Sequence, residues 1–155
     1  MTTPQGEVAA APARADLTKR FLAALIDGVL CAVLALVPVA GALAGAVYVL
    51  VRDGLDVEFM RRRSIGKQLM KLRPVRLDGQ PMDIPTSVKR NCLFVVGLIG
   101  LPFAVIPILG WGLAALLGTV QLVISIVEIV LVVTDPGGRR MGDRLAGTRI
   151  VESES

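Results

Sequence analysis

The sequence contains no histidine, only two cysteines, and aromatic residues at just 4% of its 155 positions. Without histidine, imidazole-ligated metal sites and histidine-dependent triads are excluded. Cys31 and Cys92, both in apolar sequence, do not make a disulfide scaffold. Charge is also scarce, at 19% against the roughly 25% of an ordinary soluble domain, while 54% of the chain is hydrophobic. The apolar excess lies in two runs, Phe21–Val51 and Cys92–Thr134. These hold no lysine or arginine and one acid each, Asp27 and Glu128. Such a composition excludes an ordinary soluble domain. Ser64-Ile65-Gly66-Lys67 lacks the upstream glycines of a phosphate loop, and no nucleophile–base set or metal cluster is present. Neither an enzyme nor a cofactor is expected.

Both runs exceed the ~20 residues with which a helix crosses a bilayer. The first, of 31 residues, would make a helix of roughly 46 Å against a core of roughly 30 Å. Val37-Pro38-Val39-Ala40-Gly41 interrupts it, and Pro107-Ile108-Leu109-Gly110-Trp111-Gly112 divides the second. The expected fold is an all-α membrane protein with four transmembrane helices arranged as two hairpins, spanning about 17–38, 40–57, 91–109 and 111–134. The segment 58–90 forms a small juxtamembrane cap, with Arg20 and Arg52 snorkelling to the interface. Residues 1–16 read as a disordered tail and 152–155 as a polar end. None of the 17 lysines and arginines falls in either hairpin turn, so four spans put every cation on one side, the cytoplasm, with both termini inside. Topology thus accounts for the +4 charge, and no nucleic-acid partner is expected. Lys19-Arg20, the apolar stretch and Ala42-Leu43-Ala44 imitate a signal peptide, but Asp27 within the hydrophobic region argues against cleavage.

The segments after the two hairpins resemble each other. Ser64–Val75 aligns without gaps with Arg140–Val151, matching Gly66 to Gly142, Leu69 to Leu145, Arg73 to Arg149 and Val75 to Val151. Lys-Arg precedes each hairpin, at Lys19-Arg20 and Lys89-Arg90. Two readings stand, a duplicated hairpin-plus-cap unit or chance likeness of basic, Leu-rich segments. Within the loop, Leu72–Leu77, the Asp78-Gly79 turn and Pro81–Ile84 read as an extended hairpin. Phe59–Leu72 reads as a basic amphipathic helix in the interface.

Asp27 lies seven residues beyond Arg20, on the same helical face, and an acid at that depth should face a partner or water. On the fourth span, Gln121, Ser125 and Glu128 form a polar stripe at i, i+4 and i+7. Two readings follow. In one, Asp27 and Glu128 form a proton- or cation-exchanging site near Arg20. In the other, Asp27 pairs with an arginine, Arg20 or Arg90, to fix helix packing. The matching functions are cation- or proton-coupled transport, by an oligomer because four short helices enclose little space, or a non-transporting accessory subunit of a membrane complex.

The order of these motifs resembles the RDD family of small bacterial membrane proteins, named for one arginine and two aspartates. Lys19–Asp27 is similar to its opening helix, Ser64-Ile65-Gly66-Lys67-Gln68-Leu69 to its T-P-G-K-x-L segment, and Asp143–Thr148 to its closing D-x-x-A-G-T element. The resemblance implies that Arg20, Asp27 and Asp143 are the name-giving residues, with Gly66, Lys67, Arg90 and Thr148 supporting. It also implies a bacterial inner-membrane location, and cation/proton exchange has been proposed for the family. Ile65 stands where a proline is usual, Gly142 where histidine is frequent, and the first hairpin is short. Asp143 lies in a polar segment, and the expectation is a contact with Arg20.

Overall fold

A computed structural model describes residues 15–37 and 39–153. Met1–Arg14, most of the expected tail, lie outside the described residues, as do Pro38, in the expected first turn, and residues 154–155. The chain is mostly helical. Helix α1 (Leu17–Ala35) opens where the Asp16 carboxylate accepts a hydrogen bond from Lys19 N at 2.9 Å, an N-cap contact. Helix α2 (Ala40–Val51) follows and packs along α1. Helix α4 (Ile84–Asn91) is capped by Asp83, which accepts from Thr86 N at 2.8 Å. A 3-10 turn, Cys92–Phe94, leads into α5 (Val96–Gly100), and a second, Leu101–Val105, ends that rod. Helix α6 (Leu109–Thr134) is the one clear apolar span among the described residues: an 18-residue stretch of it has a mean hydropathy of 2.5, and its 26 residues extend about 39 Å.

Two expected spans come out differently. The third is a broken rod, bent by 69° between Ile84–Phe94 and Val96–Val105. The break exposes the Gly97 N–H, and Gln121 of α6 fills the role of the missing helical acceptor, taking that N–H on Oε1 at 3.1 Å. The second ends at Val51 rather than 57, because Arg52 and Asp53 turn inward to ionic partners and Gly54 passes against the Asp83 carbonyl. At 12 residues, about 18 Å, α2 is shorter than the ~30 Å core of a bilayer.

The cap is built from α3 (Ile65–Leu69), β1 (Leu72–Arg76), α7 (Met141–Leu145) and β2 (Thr148–Glu152). β1 pairs with β2, antiparallel, in the register Leu72↔Glu152, Pro74↔Ile150 and Arg76↔Thr148. The expected hairpin of 72–77 with 81–84 does not form. Pro81 and Pro85 remove ladder donors beside the second segment, which becomes the entry to α4. Leu72, Pro74, Thr148 and Ile150 instead bury one common face, against Ala15 and Ala23. The expected interfacial helix over Phe59–Leu72 is also absent. Arg61 and Arg62 have φ of +46° and +60°, which a helix does not tolerate, and only Ile65–Leu69 is helical. The body is slightly longer than expected at both ends, since Ala15 is buried and Glu152 closes β2 while pairing with Lys19.

The two halves share one plan. α3 and α7, and β1 and β2, are offset by the same 76 residues as the sequence match. The sheet register is self-complementary under that offset: position one of each strand faces position five of the other, and the third positions face each other. A local two-fold axis therefore passes between Pro74 and Ile150. The turns match as well. Val39 and Ile108, immediately before α2 and α6, both have φ of +62°. A Cβ placed on Gly41 would lie 1.7 Å from the Leu34 carbonyl oxygen, and one on Gly110 1.8 Å from that of Phe103. Only glycine allows the two arms of each turn to approach so closely.

Candidate functional site

The cap is pinned by buried carboxylates, one set from each half. Asp27, on α1, accepts from Gly66 N at 2.9 Å and from the Tyr48 hydroxyl at 3.0 Å, and pairs with Arg52 at 2.9 Å. The same hydroxyl accepts from Ile65 N, so Asp27 and Tyr48 together take the first free N–H groups of α3. Glu128, on α6, does this for the other half, accepting from Met141 N at 2.7 Å and Gly142 N at 3.2 Å. Arg52 is thus drawn into the protein rather than snorkelling. The arginine partner of Asp27 is neither Arg20 nor Arg90, because α2 delivers Arg52 to the level of Asp27.

Beneath the cap runs a chain of ion pairs. Asp53 takes Lys67 Nζ at 2.6 and 2.8 Å, Asn91 Nδ2 at 3.3 Å and Ser64 N at 3.2 Å, and lies 3.7 Å from Arg90. Arg90, fully buried, reaches Asp143 through Nε at 2.8 Å. Asp143 also lies 3.4 Å from Arg140 and 3.6 Å from Arg20, the contact expected from the sequence. Arg20 donates to the Gly138 carbonyl, and Thr148 to that of Asp143. Arg90 therefore bridges an acid of the first half to an acid of the second.

Of the expected residues, Arg20, Lys67, Arg90 and Asp143 converge on this network, and Gly66 and Thr148 border it. Gln121 and Ser125 are engaged elsewhere: Gln121 holds the bend at Gly97, and Ser125 Oγ lies 3.3 Å from Gln121 Nε2. Asp27 and Glu128 both line one cleft of about 450 Å³ between α1 and α6, with Arg20, Arg52, Lys67, Ser125 and Arg140. Sequence reasoning missed Asp53, Arg52, Tyr48, Asn91 and Arg140. The available signal was position: Arg52-Asp53 ends the first apolar run, and Asn91 follows the Lys89-Arg90 that opens the second.

Burial alone would raise the carboxyls of Asp53 and Asp143. The neighbouring cations outweigh it and hold both below the usual range: Lys67, Arg90 and Arg52 for Asp53, and Arg90, Arg140 and Arg20 for Asp143. A lowered folded pKa stabilises above the unfolded value, about 4, and that stabilisation is lost as pH falls through the folded value. The contribution of Asp143 to the melting temperature of the purified protein should therefore be full and constant between pH 7 and 5, and fall on the acid side below about pH 4. Asp143→Asn should shrink that acid fall; an identical pH profile in the variant would contradict the assignment.

These features define a helical membrane protein with one apolar span and a polar cap held onto its helices by buried ion pairs. The RDD family profile matches residues 37–147, and the chain belongs to that family, whose members are membrane proteins. Asp143 lies within the matched stretch, whereas Arg20 and Asp27, on α1, precede it. Comparisons with curated proteins and with solved structures gave no match.

Proposed function

We propose that the protein is a cation- or proton-coupled transporter of the bacterial inner membrane, working as an oligomer or with a membrane partner. The observation that carries this reading is the double use of Asp27 and Glu128. Each lines the α1–α6 cleft, and each accepts N–H groups from one of the two equivalent cap helices. A proton or cation that takes up carboxylate lone pairs competes with those donors. Occupancy of the cleft is thereby coupled to docking of the cap, which is what an exchange cycle requires. In this reading four rods cross the bilayer and the capped face is cytoplasmic, with both termini inside, since the cations gather there. The short α2 needs a neighbouring subunit or a thinned bilayer around it.

The test is cation-dependent proton flux in vesicles holding only this protein. Glu128→Gln and Asp27→Asn should each lower the flux by about tenfold or more, the loss of one group acting in proton transfer. Flux unaffected by both changes would sink the site. A second reading, a non-transporting accessory subunit, is favoured by one feature: Asp27 is already neutralised by Arg52 at 2.9 Å. Absence of flux under any cation, with a fixed membrane partner co-purifying, would select it.

A further inference from the structure

The α1–α6 cleft arises from broken symmetry. On one seam between the halves α2 packs against α4 and α5; on the equivalent seam α1 and α6 barely touch. The opening lies at the capped ends of both helices and is closed from above by Leu72 and Ile150 of the sheet. Its volume of about 450 Å³ falls in the ~300–1,000 Å³ range of small-molecule sites. The side walls are apolar, with Phe21 and Ala24 from α1 and Ile129 and Val133 from α6, all exposed.

The floor is cationic. Arg20, Arg52, Lys67 and Arg140 line it, against Asp27 and Glu128. With Arg90, Asp53 and Asp143 behind them, five cations meet four carboxylates, one positive charge in excess. Arg52 is 8% exposed, and among the described residues its Nε has no hydrogen-bond acceptor. A buried donor of a charged group left without an acceptor is costly, and an anion at this point would satisfy it. Apolar walls leading to a guanidinium with one unsatisfied N–H match one chemistry, a hydrocarbon chain ending in an anionic group.

We infer that this cleft binds a single anionic phospholipid of the surrounding membrane, its phosphate at Arg52 and Arg140 and one acyl chain between α1 and α6. The level suits it, because the capped ends of the helices are where headgroups lie. Binding is independent of the transport reading and is measured without any gradient.

The full-length protein in detergent is mixed with equal amounts of phosphatidylglycerol and phosphatidylcholine, and retained lipid is read by native mass spectrometry. Phosphatidylglycerol should be retained about tenfold more, as one charge-assisted hydrogen bond allows. Arg52→Gln should remove most of that preference. Ala24→Phe, which fills the cleft without altering an ionic group, should abolish retention even if Arg52→Gln proves unstable. Equal retention of phosphatidylcholine would overturn the proposal. So would wild-type retention by Ala24→Phe, or displacement of phosphatidylglycerol by millimolar inorganic phosphate, which would mark a soluble-anion site.

Discussion

Replacing Asp53 by alanine should destabilise the protein more than removing any other carboxylate. Its side chain is fully buried and stands between Lys67, at 2.6 Å, and Arg90, at 3.7 Å. Removing one partner of a buried pair leaves the other charge without compensation, at a cost of about 3–5 kcal/mol. At this chain length that loss lowers the melting temperature by roughly 6–20 °C. Asp53→Asn should cost less, because an amide oxygen can still accept from Ser64 N. The pair itself adds little net stability over an apolar filling. Asp53→Ala combined with Lys67→Met should therefore recover part of the loss, a positive coupling between neighbours. Thermal unfolding followed by circular dichroism in detergent measures all three. A melting temperature for Asp53→Ala within about 2 °C of the native protein, less than 1 kcal/mol, would contradict the arrangement.

What the residues disclosed in advance follows from how far each signal reaches along the chain. The two apolar runs are local patterns, and they locate the helices, although the fine spans differ. The Gly66/Gly142 match is local too, and it marks the start of two short helices that the structure sets in equivalent positions. β1 reads as a strand from its residues, but its partner lies about 76 residues away. Strands of five residues carry no mark of which distant segment they pair with, and sequence alone points to the nearest extended segment. Asp53 escaped notice for a related reason. A charge just past an apolar run looks solvated until Lys67 and Arg90, from two other elements, are brought to it. Arg52 looks interfacial on the same logic, although it is buried against Asp27. The polar stripe on α6 is legible in the sequence, yet its members serve different neighbours, Gln121 the bend at Gly97 and Glu128 the cap. Pattern reports which face is polar; it does not report which partner each residue meets.

The duplicated plan yields the second large effect. A Cβ on Gly142 would sit 2.0 Å from the Arg90 carbonyl oxygen, and one on Gly66 2.0 Å from the Ala23 carbonyl oxygen. Both obstacles are backbone, so no rotamer change relieves them, and the short helix must lift from its partner by more than 1 Å to reach ordinary contact. Lifting α7 stretches the Glu128 bonds to Met141 N and Gly142 N and the Arg90–Asp143 pair. Gly142→Ala should thus cost at least the ~1–3 kcal/mol of an overpacked core. Gly66→Ala should cost about as much, the clash being the same. Glycine at 142, where the family often has histidine, therefore lets α7 lie closer to α4 than a side chain permits. Gly112→Ala and Gly118→Ala, in open positions on α6, are the controls and should stabilise the helix by up to about 1 kcal/mol. Hydrogen exchange separates local from shared loosening. Gly142→Ala should expose the Met141 and Gly142 amides first, then Ile65 and Gly66, because β2 carries the displacement to β1 through the paired sheet. Loss confined to α7, with α3 protected as before, would mean that the two halves of the cap dock independently, and the sheet would then be a tether rather than a coupling element.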